Sequence, residues 1–109
     1  MDNMTIDEFM QKIPSAFHPE RAAGIDAVIG FHLTGDQASD WAMTIRNQAV
    51  TVDKSAAVNP RLTLTAATRD IMDIFSGKLD GMRAFMQGKI RVSGDTGLAM
   101  KLMNLFKMS

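Results

Sequence analysis

The sequence contains no cysteine among its 109 residues. This absence excludes a disulfide framework, a zinc–thiolate site and a thiol nucleophile, and it favours a cytoplasmic address. Histidine is scarce too: His18 precedes a proline and His32 falls on the polar side of a predicted strand, so both are interpreted as surface or loop residues. With no recognisable pairing of nucleophile and base, we expect no catalytic residue, no metal and no cofactor.

An excess of charge of one sign is also missing. Twelve basic and twelve acidic residues give a formal net charge of zero, so no global field points to nucleic acid or to an anionic membrane surface. No segment approaches the roughly 18 to 20 apolar residues of a membrane span, and no signal-like run opens the chain. The length suits a single soluble domain covering residues 1–109.

Methionine, in contrast, is abundant, with ten residues of this type. Its flexible thioether side chain fills irregular or changing cavities better than leucine or isoleucine does. Two interpretations stay open at this point. The methionines either fill gaps in an ordinary core or line a deformable ligand cavity.

The first half of the chain is predicted to form a helix followed by an antiparallel meander. Thr5–Glu8 reads as a capping box before an apolar helical stripe that Pro14 ends. From Ile25 onwards, apolar residues recur with the period of two that is typical of strands. Three strands in succession have their apolar residues on one face, and residues 60–66 are expected to add a fourth.

The register of the meander can be predicted from its turns. If Asn47-Gln48 is a two-residue hairpin turn, Ile45 faces Val50. If the loop from Gly35 to Asp40 is longer, Leu33 faces Trp41 and Phe31 faces Met43. Both assumptions place the apolar side chains of all three strands on the same side of the sheet.

In the second half, glycines and aspartates mark the ends of short elements. Thr68 is predicted to cap a helix over residues 69–76, and Asp80 and Asp95 are predicted to cap two more. Gly77 and Gly88 stand where helix C-terminal caps belong. Between the last two helices, residues 89–93 read as a strand, and the long connection predicts that it runs parallel to the strand before it.

The last helix, from Thr96 to about Lys107, is apolar over most of its circumference. Packing on one sheet requires only part of that width. The remainder needs a second partner, which could be a bound lipid, another subunit or the neighbouring helices.

Several short motifs in this order resemble the type-two sterol carrier protein family, also called nonspecific lipid-transfer proteins. The resemblance covers nearly the whole chain. The motifs are Phe17-x-Pro19-Glu20-x-Ala22-Ala23-Gly24, Phe31-x-Leu33-x-Gly35 before Trp41, Gly77-Lys78-Leu79-Asp80, Ala84-Phe85-Met86-x-Gly88-Lys89 and Gly94-Asp95.

The resemblance implies an α+β fold with a five-stranded, mostly antiparallel sheet, helices packed on one face and an apolar tunnel between the layers. It implies a carrier of fatty acids, fatty acyl-CoA or similar lipids rather than an enzyme. The chain lacks the small-residue-Lys-Leu ending of peroxisomal members, and its length indicates a free-standing form. An acyl lipid is therefore expected in preference to a sterol.

The ligand contacts are expected among apolar side chains that line the space between sheet and helices. These residues are Phe31, Trp41, Met43, Phe75, Met82, Phe85, Met86, Met100, Met103 and Phe106. Four cations, Lys78, Arg83, Lys89 and Arg91, either meet a lipid head group near the mouth or solvate an ordinary face. The expected partners are a lipid ligand and, transiently, a membrane. The alternative function is a non-catalytic module that dimerises or regulates a lipid-metabolic enzyme.

Overall fold

The computed structural model describes residues 4–106, apart from the side chain of Met103. The elements are α1 (Ile6–Lys12), two short 3₁₀ helices (Ile13–Ala16 and Pro19–Ala22), β1 (Ala27–Thr34), β2 (Ser39–Arg46), β3 (Ala49–Asp53), β4 (Leu62–Ala67), α2 (Thr68–Phe75), α3 (Gly81–Met86), β5 (Ile90–Gly94) and α4 (Thr96–Leu105). Within this range no helix has the length and apolar character needed to cross a membrane.

The five strands form one sheet in the order β3-β2-β1-β4-β5. Only the β1–β4 pair is parallel, which confirms the predicted, mostly antiparallel sheet. The predicted parallel orientation of β5 is wrong, because β5 runs antiparallel to β4. The connection leaves the sheet after Ala67 and returns at Ile90, which is the partner of Ala66. The chain therefore re-enters at the end of the sheet it left, and β5 runs back along β4.

The sequence predicts the second turn of the meander correctly but the register at the first turn incorrectly. Asn47 and Gln48 have φ of 54° and 59°, and Ile45 pairs with Val50, which confirms the predicted hairpin. In the first turn β2 already begins at Ser39, so Trp41 pairs with Phe31 instead of Leu33. Met43 likewise pairs with Ile29 and not with Phe31. Because the error is two residues, each side chain keeps its predicted face.

Most of the predicted helix ends are present. The side chain of Thr5 accepts from the backbone N–H of Glu8, whose carboxylate in turn accepts from the backbone N–H of Thr5. Asp80 and Asp95 each accept a hydrogen bond from a backbone N–H three residues on, at 3.0 Å. The glycines predicted to follow α2 and α3 both have positive φ.

Thr68 is not the N-cap of α2, as the sequence suggested. The cap position is Ala67, whose backbone is extended, and Thr68 is the first helical residue. The buried Thr68 hydroxyl donates to the carbonyl oxygen of Asp36 at 2.6 Å. A tertiary contact to the β1–β2 turn therefore replaces the local capping bond. Helix α4 ends at Leu105, whereas the predicted end at Lys107 lies outside the described residues.

The core lies between the inner face of the sheet and the helices. Inward-facing apolar residues of β1, β2, β4 and β5 form one cluster with the apolar sides of α1 and α4, and Val50 and Val52 of β3 pack against it. Helix α1 contributes the stripe predicted from its sequence, and α4 contributes Leu98, Ala99, Leu102 and Leu105. The structure thus has the two layers that the sequence predicts.

The β3–β4 connection crosses the outer face of the sheet. A Cβ atom built on Gly30, in the middle of β1, would lie 3.3 Å from the Cβ of Ala57 and 3.7 Å from the Cβ of Pro60. Glycine therefore leaves the space in which the connection rests on the strand. By this path the chain passes from β3 at the sheet edge to β4, which pairs with β1 in the interior of the sheet.

Candidate functional site

An apolar pocket of about 260 Å³ lies between α3, the β5 edge of the sheet and α4. Its floor consists of inward-facing strand residues and its walls come from the two helices. The apolar residues that line it are Leu64, Met82, Phe85, Ile90, Val92, Ala99 and Met100. Asp80 and Thr96 supply the polar side chains of the lining, and the Asp80 carboxylate already caps α3. The pocket can therefore hold an apolar chain but offers few polar contacts.

Helix α3 turns an unusual face towards the sheet. Gly81 and Ala84, which are small, are its buried residues. The large side chains Met82, Phe85 and Met86 are 46%, 49% and 78% exposed. A helix that packs through small residues and exposes large apolar ones leaves surface available for a further partner.

Three of the predicted ligand contacts meet in this pocket. Met82 and Phe85 reach it from α3, and Met100, which is 60% exposed, reaches it from α4. Met86 lies on the same helix face but is not part of the lining. The side chain of Met103, a further predicted contact, lies outside the described part of the structure.

Three other predicted contacts lie in the closed core. Phe31, Trp41 and Met43 are almost completely buried on the inner face of the sheet and do not line the pocket. The indole N–H of Trp41 donates to the Ser39 hydroxyl at 2.8 Å. Their contact with a ligand stays a prediction, because a ligand could reach them only if the cavity extended inwards.

A row of aromatic rings links the core to the end of α4. The ring centroids of Phe31 and Phe75 are 6.3 Å apart, and those of Phe75 and Phe106 are 5.5 Å apart. Phe17 extends the row at 5.4 Å from Phe106. Phe75 and Phe106, both predicted ligand contacts, therefore pack against each other. Neither lines the 260 Å³ pocket.

Sequence reasoning missed the floor of the pocket. Leu64, Ile90, Val92 and Ala99 were recognised as apolar positions of strands or of the last helix but not as ligand contacts. The alternation of Leu64, Ile90 and Val92 places them on the inner sheet face, next to the predicted α3 and to α4, which carries Ala99. That combination of inner face and sheet edge is the signal that could have identified them.

A larger cavity, of about 640 Å³, lies between α1 and α2. Its lining includes cations and acids together: Lys12, Asp36, Arg69, Asp73 and Lys78. Interspersed charges of both signs suit neither an acyl chain nor a single anion. Among residues 4–106, no group of three or more histidine, aspartate and glutamate side chains could hold a metal ion. The smaller apolar pocket is therefore the better candidate site.

The start of α4, which forms one wall of the pocket, depends on an ionised carboxylate. The Leu98 backbone N–H donates to Asp95 at 3.0 Å, and this bond, together with Arg61 at 3.3 Å, lowers the pKa of Asp95 below its ordinary value. Because the folded pKa is depressed, the stabilisation is present above the ordinary pKa and is lost as the pH falls through the folded value.

We therefore expect acid to destabilise wild type more than the variant Asp95→Asn, whose amide oxygen still accepts the cap hydrogen bond. Melting temperatures at about pH 7 and about pH 3, on either side of the ordinary aspartate pKa, measure this. The difference in melting temperature between wild type and Asp95→Asn should be smaller at the lower pH. The pKa of Glu8 is also lowered, by its bond to Thr5, but Glu8 is common to both proteins. A gap of equal size at both pH values would contradict the prediction.

Comparison with known proteins gives one consistent family. A sequence model of the SCP-2 sterol transfer family matches residues 6–107. Hydroxysteroid dehydrogenase-like protein 2 of Danio rerio is 30% identical over 94% of the chain, and peroxisomal multifunctional enzyme A of Dictyostelium discoideum is 36% identical over 62% of it. The chain spans only 25% and 16% of the lengths of these two relatives.

Among solved structures, the palmitated SCP2L2 of Aedes aegypti has the same fold. It superposes with a TM-score of 0.77 over 93% of each chain, at 26% sequence identity. This agreement confirms the α+β fold predicted from the sequence.

Proposed function

The chain belongs to the SCP-2 sterol transfer family, and on this basis we propose that it is a lipid carrier that holds a fatty acid, fatty acyl-CoA or similar lipid between sheet and helices. The observation that carries the proposal is the apolar pocket between α3, β5 and α4. The palmitate of the Aedes aegypti relative supports an acyl chain as the ligand. The carrier role itself needs no catalytic group.

The size of the pocket determines how such a ligand binds. A volume of about 260 Å³ is just below the roughly 300 to 1,000 Å³ that is usual for ligand sites. The pocket therefore accommodates part of a long chain, and each methylene that it buries contributes about 0.8 kcal/mol. The thioether side chains of Met82 and Met100 can change rotamer to widen it.

The rest of the chain requires a longer cavity, which is the tunnel implied by the family. In this proposal the tunnel extends from the pocket towards Phe75 and Phe106 and then to the core residues Phe31, Trp41 and Met43. Phe75 is suited to admit the ligand because it is only partly buried. Met103 completes the proposed set of contacts. Met86, also expected from the sequence as a contact, does not line the pocket, so the proposal places it outside the binding site. The tunnel would open only as a ligand enters, since the core side of this path is closed in the structure.

The alternative is a regulatory or dimerisation module of a lipid-metabolic enzyme. Two observations favour keeping it: the large apolar residues exposed on α3, and relatives whose names are those of enzymes several times longer than this chain. A cytoplasmic address and a single domain over residues 1–109 remain parts of the proposal.

Binding of a fluorescent long-chain fatty acid tests the carrier function, with Met100→Asp as the variant. A carboxylate in the lining is expected to weaken binding about tenfold, because Met100 is 60% exposed and its contact contributes less than the roughly 1.5 to 3 kcal/mol of a fully buried methionine. The melting temperature should change little, since Met100 is largely exposed.

The matched control is Val58→Asp, which introduces the same charge at a side chain that is 79% exposed in the β3–β4 connection. This variant should bind like wild type. Equal binding by both variants would exclude the pocket as the site. If the protein binds no fatty acid but its mass increases with concentration, the dimerisation module is the better explanation.

A further inference from the structure

The formal net charge of zero conceals two oppositely charged regions of the chain. Residues 76–106, which form α3, β5 and α4, carry five basic and two acidic side chains, a balance of +3. Residues 4–75 carry six basic and nine acidic side chains, a balance of −3. The region that contains the apolar pocket is therefore the basic one. A count by segment would have revealed this from the sequence.

The two acids of the basic region already form hydrogen bonds or ion pairs within the protein, whereas its five cations form no ion pair with any other described residue. Asp80 and Asp95 both cap helices, and Asp95 also pairs with Arg61. The five cations, Lys78, Arg83, Lys89, Arg91 and Lys101, are all exposed and form no ion pair with any other described residue. Their charge is therefore available to a partner.

Exposed apolar side chains lie in the same region. We name Met82, Phe85, Met86 and Met100 the α3–α4 patch; three of them form the outer lining of the pocket. Met86 does not line the pocket, so a ligand inside would not cover it. Three of the free cations, Arg83, Lys89 and Lys101, lie within three residues of this patch in the sequence.

We propose that the α3–α4 patch docks on an anionic lipid membrane surface. The patch would lie at the boundary of head groups and acyl chains while the neighbouring cations Arg83, Lys89 and Lys101 contact lipid phosphates. This is the combination by which basic, apolar helices bind membrane interfaces. The proposal rests on the carrier function above, because docking in this orientation places the pocket mouth against the source of the lipid.

Charge distinguishes this partner from a second copy of the chain. In a symmetric pair, the same patch of each copy would face the other, and the unpaired cations of both would be brought together. An anionic membrane instead complements them. Removing one cation near such a surface is expected to weaken binding about fivefold.

The proposal is tested by co-sedimentation of the full chain with vesicles of phosphatidylcholine, with and without phosphatidylglycerol. Wild type should bind the mixed vesicles, and binding should fall with added salt. Met86→Asp should weaken this binding at least tenfold, because it places an acid in the patch. Val58→Asp, at an equally exposed methyl-bearing side chain in the acidic region, should bind like wild type. Lys89→Gln, which removes a cation near the patch, should weaken vesicle binding about fivefold. Arg46→Gln, which removes a cation on the outer sheet face, should not.

Fatty-acid binding in solution is measured on the same variants. Met86→Asp should retain it, since Met86 does not line the pocket; loss of vesicle binding alone therefore supports the proposal. Equal vesicle binding by Met86→Asp and Val58→Asp overturns docking through this patch. A concentration-dependent dimer that Met86→Asp abolishes, with no vesicle binding by wild type, assigns the patch to a second copy and also overturns it. Failure of wild type to bind fatty acid in solution instead rejects the carrier function, whatever the vesicles show.

Discussion

Replacing Met43 by aspartate is expected to unfold the protein at room temperature. Met43 lies in the middle of β2, completely buried, with Ile29 of β1 and Val52 of β3 as its partners. A carboxylate at this point has only apolar neighbours on the inner face. A buried charge without a partner removes a large part of the roughly 5 to 15 kcal/mol that stabilises a domain. Circular dichroism and thermal unfolding measure the loss.

Met43→Leu is the control, because it preserves volume and apolar character and should cost less than about 1.5 kcal/mol. The comparison with Met100→Asp uses the same substitution at an exposed methionine. If Met43→Asp folds like wild type and only loses lipid affinity, Met43 lines a ligand cavity, as the sequence suggested, and its place in a closed core is wrong.

Gly94→Ala is the second substitution with a large expected effect. Gly94 has a φ of +105°, and a Cβ atom there would lie 2.5 Å from the carbonyl oxygen of Arg61 and 3.3 Å from the Cα of Leu62. Both the backbone conformation and the clash with the facing strand oppose alanine. We expect a loss of about 3 to 5 kcal/mol in the free energy of unfolding, measured by urea titration.

Gly88→Ala separates the two causes of that loss. Gly88 has a similar positive φ, of +78°, but an added Cβ meets no atom within 4 Å. This variant should lose only the conformational part, about 1 to 2 kcal/mol. Equal losses at the two glycines would show that the close approach to Arg61 is unimportant.

Local patterns predicted the elements well and their assembly less well. The capping box at Thr5, the Asn47-Gln48 hairpin and the helix caps at Asp80 and Asp95 depend on neighbours within a few residues, so the sequence contains them. The direction of β5 and the bonding of Thr68 depend on distant partners, Ala66 and Asp36. The Phe31–Trp41 pairing was missed by two residues because loop length alone does not fix where β2 begins.

The candidate site was predicted in part for a similar reason. Hydrophobic spacing shows that Met82, Phe85 and Met86 share a helix face, but it does not show whether that face is buried. The small residues Gly81 and Ala84 decide this, since they allow α3 to approach the sheet and leave the large side chains outside. Phe31 and Trp41 were expected as contacts from their place on the apolar sheet face, yet both are buried in the core that this face forms with the helices.

The connection that crosses Gly30 also has a consequence for the order in which the sheet assembles. Strands β1 to β3 are joined by short turns, so their pairing requires only the closure of small loops. The parallel pairing of β4 with β1, in contrast, closes a loop that contains β2, β3 and the crossing segment. Because closing this longer loop costs more entropy than closing the short turns, we expect the β1–β4 pairing to follow the meander, and β5 and α4 to take their places after it. The region proposed to hold lipid would then be the last part of the molecule to fold.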